Sequence, residues 1–134
     1  MARIRIRIYF GDGHSVGPGK VQLLEAVREH GSISAAARSM GMAYRHAWEM
    51  LDDMNQCFRS PVVAGTSGGR AGGGATLTPF GEEVVRRFRA MEKRARKAMA
   101  RDVEALDREV VGGETPTKRS RPPAKRSSSG PRPG

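Results

Sequence analysis

Three groups of residues have types and spacings that could do chemistry. The first is TSGGRAGGGATLTPFG, Thr66 to Gly81, with six glycines, five of them flanking Arg70. In a nucleotide enzyme such a run would wrap phosphate with backbone N–H groups, but it would also carry a lysine and open a helix directly. Here it contains no lysine and leads into ATLT, which reads as a strand. The second group is His14, His30 and His46, which lie sixteen residues apart without ligand companions, and no nucleophile is paired with a base. Neither an enzyme nor a cofactor or metal site is expected. The third group is Tyr44, Arg45, His46 and Trp48 in AYRHAWEM. An arginine near a helix N-terminus can bind guanine bidentately in a major groove, so this group points to nucleic acid.

Charge agrees with the third group. Lys+Arg 24 against Asp+Glu 14 gives a formal +10, which favours a polyanionic partner. The segment from Gly112 onward holds six of the bases and one acid, so +5 remains on the rest of the chain. That segment, GGETPTKRSRPPAKRSSSGPRPG, has no large apolar residue and is expected to be a disordered basic tail over 112–134. Residues 1–111 are expected to form the single domain. The lone cysteine, Cys57, reads as a small buried hydrophobe at a helix end. With no signal-like start and no apolar run of membrane length, a cytoplasmic protein is expected.

The elements that would position these residues follow from periodicity. RIRIRIYF alternates Ile4, Ile6, Ile8 and Phe10 with Arg3, Arg5, Arg7 and Tyr9, the pattern of a strand with one buried face. GDGHSVGPG reads as a turn. Leu23, Leu24 and Val27 predict a first helix over Lys20–His30, with Gly31 as its stop. SISAAARSMG predicts a short second helix, capped by Ser32 or Ser34 and ending at Gly41. A third helix over Ala43–Phe58 carries Ala47, Leu51, Met54 and Phe58 on one stripe. PVVAG and ATLT read as strands around the glycine turn. Thr78 caps a long last helix with Pro79 at its first position and an apolar stripe from Val84 through Phe88, Met91, Ala95, Met99, Val103 and Leu106 to Val110.

This order predicts a mainly α fold with a small β-sheet (α+β), a winged helix-turn-helix with a long C-terminal helix. GSISAAARSMGMAYRHAWEMLDDMNQCF followed by GGRAGGGATLTPFG resembles the N-terminal DNA-binding domain of the ModE family, molybdate-responsive bacterial regulators whose winged domain is related to that of LysR-type regulators. The resemblance covers about residues 18 to 95, carried by Tyr-x-x-Ala-Trp and Met-Asn in helix three and by Gly-Gly-x-x-Gly-Gly-Gly-Ala in the wing. It implies a dimeric, sequence-specific DNA-binding protein of the bacterial cytoplasm. Two departures stand out: the chain leaves no room for the family's oxyanion-binding sensor, and Ala43 stands where the family commonly has a serine that caps helix three and reaches phosphate.

The residues read as DNA-binding are Ser34, Tyr44, Arg45, His46, Trp48 and Arg70. Arg45 and Tyr44 are the base-reading candidates, with phosphate contact the alternative for Arg45. Trp48, one step past the stripe, reads first as packing between helices and second as resting on the sugar–phosphate backbone. His46 could donate to phosphate or be merely solvated. Ser34 could cap helix two, bind phosphate, or both. Arg70 could enter the minor groove or neutralise a phosphate, against a merely flexible turn. Glu49 and Asp52 would need a cytosine or a basic neighbour to be comfortable on that face. Arg3, Arg5 and Arg7 could steer DNA or only protect a strand edge. The expectation is a dimeric transcription regulator on double-stranded DNA, with no membrane partner and no small-molecule effector site; a non-specific nucleoid-associated protein and a protein-interaction module are the alternatives.

Overall fold

The computed structural model describes residues 2–11, 13–66 and 73–112. In chain order the elements are β1 (Ile8–Phe10), β2 (His14–Val16), α1 (Pro18–His30), α2 (Ile33–Ser39), α3 (Tyr44–Cys57), β3 (Val63–Thr66), β4 (Gly74–Leu77) and α4 (Pro79–Asp107). Residues Ile4–Met99 form one compact unit; of the other described residues, 2–3 and 100–112 belong to a second. No helix among the described residues is long and apolar enough to cross a membrane.

The expected mixture of helices with little sheet is found, with two differences. The sheet is two separate antiparallel hairpins, β1–β2 and β3–β4, because HSV, read as part of a turn, pairs with IYF in the register Ile8↔Val16 to Phe10↔His14. The first strand is also shorter than its alternation suggested. Exposure does alternate from Ile4 to Phe10, yet only Ile8–Phe10 is paired. The partner runs out at Val16, since Gly17 and Pro18 already begin α1.

The core gathers the apolar face of each helix. Val21, Leu23, Leu24 and Val27 of α1 meet Ala36 and Ala37 of α2 and Ala47, Leu51 and Met54 of α3, all buried. The small alanines let α2 lie close to its neighbours. Its N-cap is Ser32, whose hydroxyl accepts from Ala35 N–H at 3.0 Å, so the capping role does not fall to Ser34. Gly31 ends α1 at φ 79° and Gly41 turns the chain between α2 and α3 at φ 68°, both in the left-handed region where glycine is favoured.

In α4 the buried positions are Gly81, Val85 and Phe88, with Val84 and Met91 half-buried. The outer part of the anticipated stripe is open to solvent at Met99 and Leu106, and Val110 lies beyond the helix, which stops at Asp107. Thr78 caps α4 as expected, accepting from Gly81 N–H at 2.9 Å. A bidentate pair, Arg89 Nη2 and Nε to Glu25 at 2.6 and 3.0 Å, ties α4 to α1, and Glu92 accepts a further bond from Arg89. The Arg89 guanidinium holds the Glu25 carboxyl below the usual glutamate range.

One residue joins α3, the β3–β4 hairpin and α4. Val62 is fully buried; its N–H donates to Asn55 Oδ1 at 2.7 Å and its carbonyl accepts from Thr78 N–H at 3.0 Å. The backbone of Gly81 lies so close that a methyl group there would collide with the Val62 carbonyl oxygen. Gly81→Ala is therefore expected to destabilise the fold by about 2 kcal/mol or more, an overpacking cost against rigid backbone that exceeds the gain in helix propensity. Chemical denaturation measures it; an alanine variant as stable as the parent would contradict this packing.

Candidate nucleic-acid interface

Helix α3 turns one face inward and leaves the other bare. Ala47, Leu51 and Met54 are buried, whereas Tyr44, Arg45, His46, Trp48 and Glu49 are exposed. Ala43 is the N-cap rather than the first helical residue, and no side chain caps the helix there. The N–H groups of its first turn thus have no side-chain acceptor and suit an external anion.

Tyr44 and Trp48, one turn apart, form an aromatic ridge between two hollows. On one side, a cleft of about 340 Å³ runs between α2, α3 and the β3–β4 hairpin, with Ser34, Tyr44, Trp48, Asp52, Asn55 and Gly74 in its walls. On the other side Tyr44, Arg45 and Trp48 surround an open hollow of about 280 Å³. Of the six residues singled out in the sequence, the structure brings four together here: Ser34, Tyr44, Arg45 and Trp48. His46 is exposed and lines neither hollow. Arg70 lies outside the described residues.

The first expectation for Trp48, interhelical packing, is not met: it is 45% exposed. A helix turns 100° per residue, so the step from Ala47 carries the indole out of the core. Ser34 is exposed, and its hydroxyl lies 3.4 Å from Arg38 Nη1, a long contact that leaves it available. Arg45 is 83% exposed and faces Glu49 at 3.6 Å, an ion pair without a hydrogen bond. Arg3, Arg5 and Arg7 are all exposed.

Two residues that matter for this surface were not singled out as site residues in the sequence. Asn55, half of the Met-Asn pattern, fixes the start of β3 from α3 through Val62. Asp53 anchors the inner side of α3: Lys20 Nζ of α1 donates to Asp53 Oδ2 at 2.7 Å and to Ser15 carbonyl at 2.7 Å, and His14 Nδ1 of β2 lies 2.9 Å from Asp53 Oδ1. The Gly-rich hairpin is tied to α1 as well, since Ala75 N–H donates to Gly31 carbonyl at 2.9 Å.

Held-out helix, flanking hairpin and preceding short helix together define a winged helix-turn-helix. Residues 19–82 match the family described as bacterial regulatory helix-turn-helix protein, lysR family. The chain is 38% identical over 102 residues to the molybdenum transport protein ModE of Azotobacter vinelandii, covering 76% of this chain and 37% of that protein. It is 43% identical over 88 residues to the molybdenum-pterin-binding protein MopB of Rhodobacter capsulatus, covering 66% and 33%. It is 33% identical over 81 residues to the DNA-binding transcriptional dual regulator ModE of Escherichia coli K12, covering 60% and 31%. Among solved structures it resembles the chain in the crystal structure of the CbnR_DBD-DNA complex, with TM-score 0.51, 18% identity, and coverage of 66% of this chain and 95% of that one. Over this part the chain is similar to the winged helix-turn-helix domains of ModE-type and LysR-type regulators. The chain spans about a third of the length of these curated relatives.

The Asp53 cluster links the stability of the fold to pH. The hydrogen bond from Lys20, outweighing desolvation and aided by His14, holds the Asp53 carboxyl below its usual range. A carboxyl depressed in the fold stabilises fully above its unfolded value, about pH 4, and loses that contribution as pH falls through the folded value. Asp53→Asn is expected to be less stable than the parent at pH 7, with the difference closing as pH drops below about 4. Denaturation midpoints across pH measure this; a difference unchanged down to about pH 3 would place the acid sensitivity elsewhere.

Proposed function

We propose that this chain is a sequence-specific DNA-binding transcription regulator of the bacterial cytoplasm, with α3 entering the major groove of double-stranded DNA and the β3–β4 hairpin alongside as a wing. The observation that carries this reading is the bare face of α3, where Tyr44, Arg45 and Trp48 stand out from a helix whose opposite face is locked into the core. Matches to regulators rather than enzymes support it. Tyr44 and Arg45 are the base-reading residues; Trp48 rests against the sugar–phosphate backbone; Ser34 and His46 donate to phosphate. Arg70 serves the wing at a phosphate or in the minor groove. In this reading residues 1–111 are the DNA-binding domain. The basic segment 112–134, of which only Gly112 is described, adds electrostatic affinity without choosing sequences.

Selection of bound duplexes from random DNA tests the reading. The parent should enrich a motif, and Arg45→Ala should weaken binding to it by about tenfold while relaxing one position, as expected for loss of a bidentate guanine contact. Equal loss on every sequence would assign Arg45 to phosphate, and the absence of any enriched motif would favour a non-specific DNA-binding protein.

We further infer that the protein binds as a homodimer. Support comes from α4, which continues to Asp107 with Met99 46% and Leu106 70% exposed, apolar surface that one copy leaves uncovered. A dimer would present two α3 helices to half-sites about one helical turn apart. Light scattering should return twice the chain mass; a monomer at working concentrations would remove the two-half-site arrangement.

A further inference from the structure

The outward face of α3 carries carboxylates where a polyanion would lie. Arg45, Trp48, Glu49 and Asp52 follow one another at steps of three, one and three residues, so they form a single stripe, exposed at the first three and half-buried at Asp52, with one cation and two anions. Such a stripe supplies no net attraction for phosphate. The two acids differ in how far the fold already occupies them. Asp52 is half-buried in the wall of the cleft and accepts a hydrogen bond from Gln56 Nε2 at 2.9 Å. The Glu49 side chain is 56% exposed, its salt-bridge partner is Arg45 at 3.6 Å, and it makes no hydrogen bond among the described residues. Folding alone gives this carboxylate little to do.

Its chemistry limits what it can meet in a major groove. An ionised carboxylate only accepts hydrogen bonds. Guanine and thymine present acceptors and would repel it. Adenine offers a donor at N6 beside the acceptor N7, whereas cytosine offers its N4 amino group. We propose that Glu49 is a specificity-determining residue, accepting from cytosine N4 beside the base that Arg45 reads and penalising DNA that lacks a donor there. The proposal rests on the reading of α3 as a major-groove helix. Four residues of helix separate the two side chains by about 6 Å along the axis, about two base steps. The cytosine should therefore lie within about two base pairs of the guanine bound by Arg45.

The test uses the full chain as parent, Glu49→Gln and Glu49→Ala, each put through selection from random duplexes. The parent motif should contain such a cytosine. Glu49→Gln should lose it or turn to adenine, which glutamine can bind bidentately, while keeping the guanine. Both variants should bind unrelated duplexes more tightly than the parent at low salt, because a repulsive charge is gone. As a measurement on the unaltered protein, replacing that C·G pair by T·A in the selected site should weaken parent binding at least about fivefold, and Glu49→Ala should be indifferent to the change. A parent motif without the cytosine, or variants that keep it with the parent's preference, would overturn this inference alone. A parent that enriches no motif would overturn the groove-reading function and this inference with it.

Discussion

The placement of the candidate nucleic-acid interface depends on the backbone of Val62. Its N–H is taken by the Asn55 side chain from α3, its carbonyl by the N–H of Thr78 at the head of α4, and the glycine at position 81 permits the helix to rest against that carbonyl. A buried peptide group needs both partners, since an unmet one costs about 1–3 kcal/mol. Satisfying them with a helix on one side and a helix cap on the other fixes where the β3–β4 hairpin leaves the body relative to α3. The remaining ties act on the same frame: Ala75 to the end of α1, and Asp53 with Lys20 and His14 behind α3.

In the proposed function, this frame separates affinity from selection. The outward stripe of α3 has more negative than positive charge, although the chain as a whole carries +10. In the proposed function, attraction for DNA comes from bases elsewhere, including Arg3, Arg5 and Arg7, Arg38, and the basic segment beyond residue 111, while the groove helix contributes discrimination. Such a division makes overall affinity strongly salt-dependent and leaves the choice of sequence to a few side chains that pay for repulsion unless correctly matched.

Much of the fold was legible because it rests on periodic burial and on punctuation. Ala47, Leu51 and Met54 mark the inner face of α3, Gly31 and Gly41 stop two helices, and Thr78-Pro79 opens a third. The β1–β2 hairpin was missed because HSV is short and enclosed by glycines, so the turn signal masked a strand that only its pairing with IYF reveals. In the candidate site, the outward placement of Tyr44 and Arg45 followed from the stripe, but the position of Trp48 beside it left two directions open, and only the packed helix shows the indole facing out. The role of Asn55 could not be read from composition, because its hydrogen bond reaches a residue seven positions away across an irregular segment.

The central claim is that the exposed face of α3 reads base edges in the major groove. Methylation interference on the selected duplex tests it most directly, since methyl groups can be placed on guanine N7 in the major groove or adenine N3 in the minor groove. The account predicts that N7 methylation at one guanine in each half-site blocks binding and that this sensitivity disappears in Arg45→Ala. Interference confined to adenine N3, or none at any guanine, would contradict it.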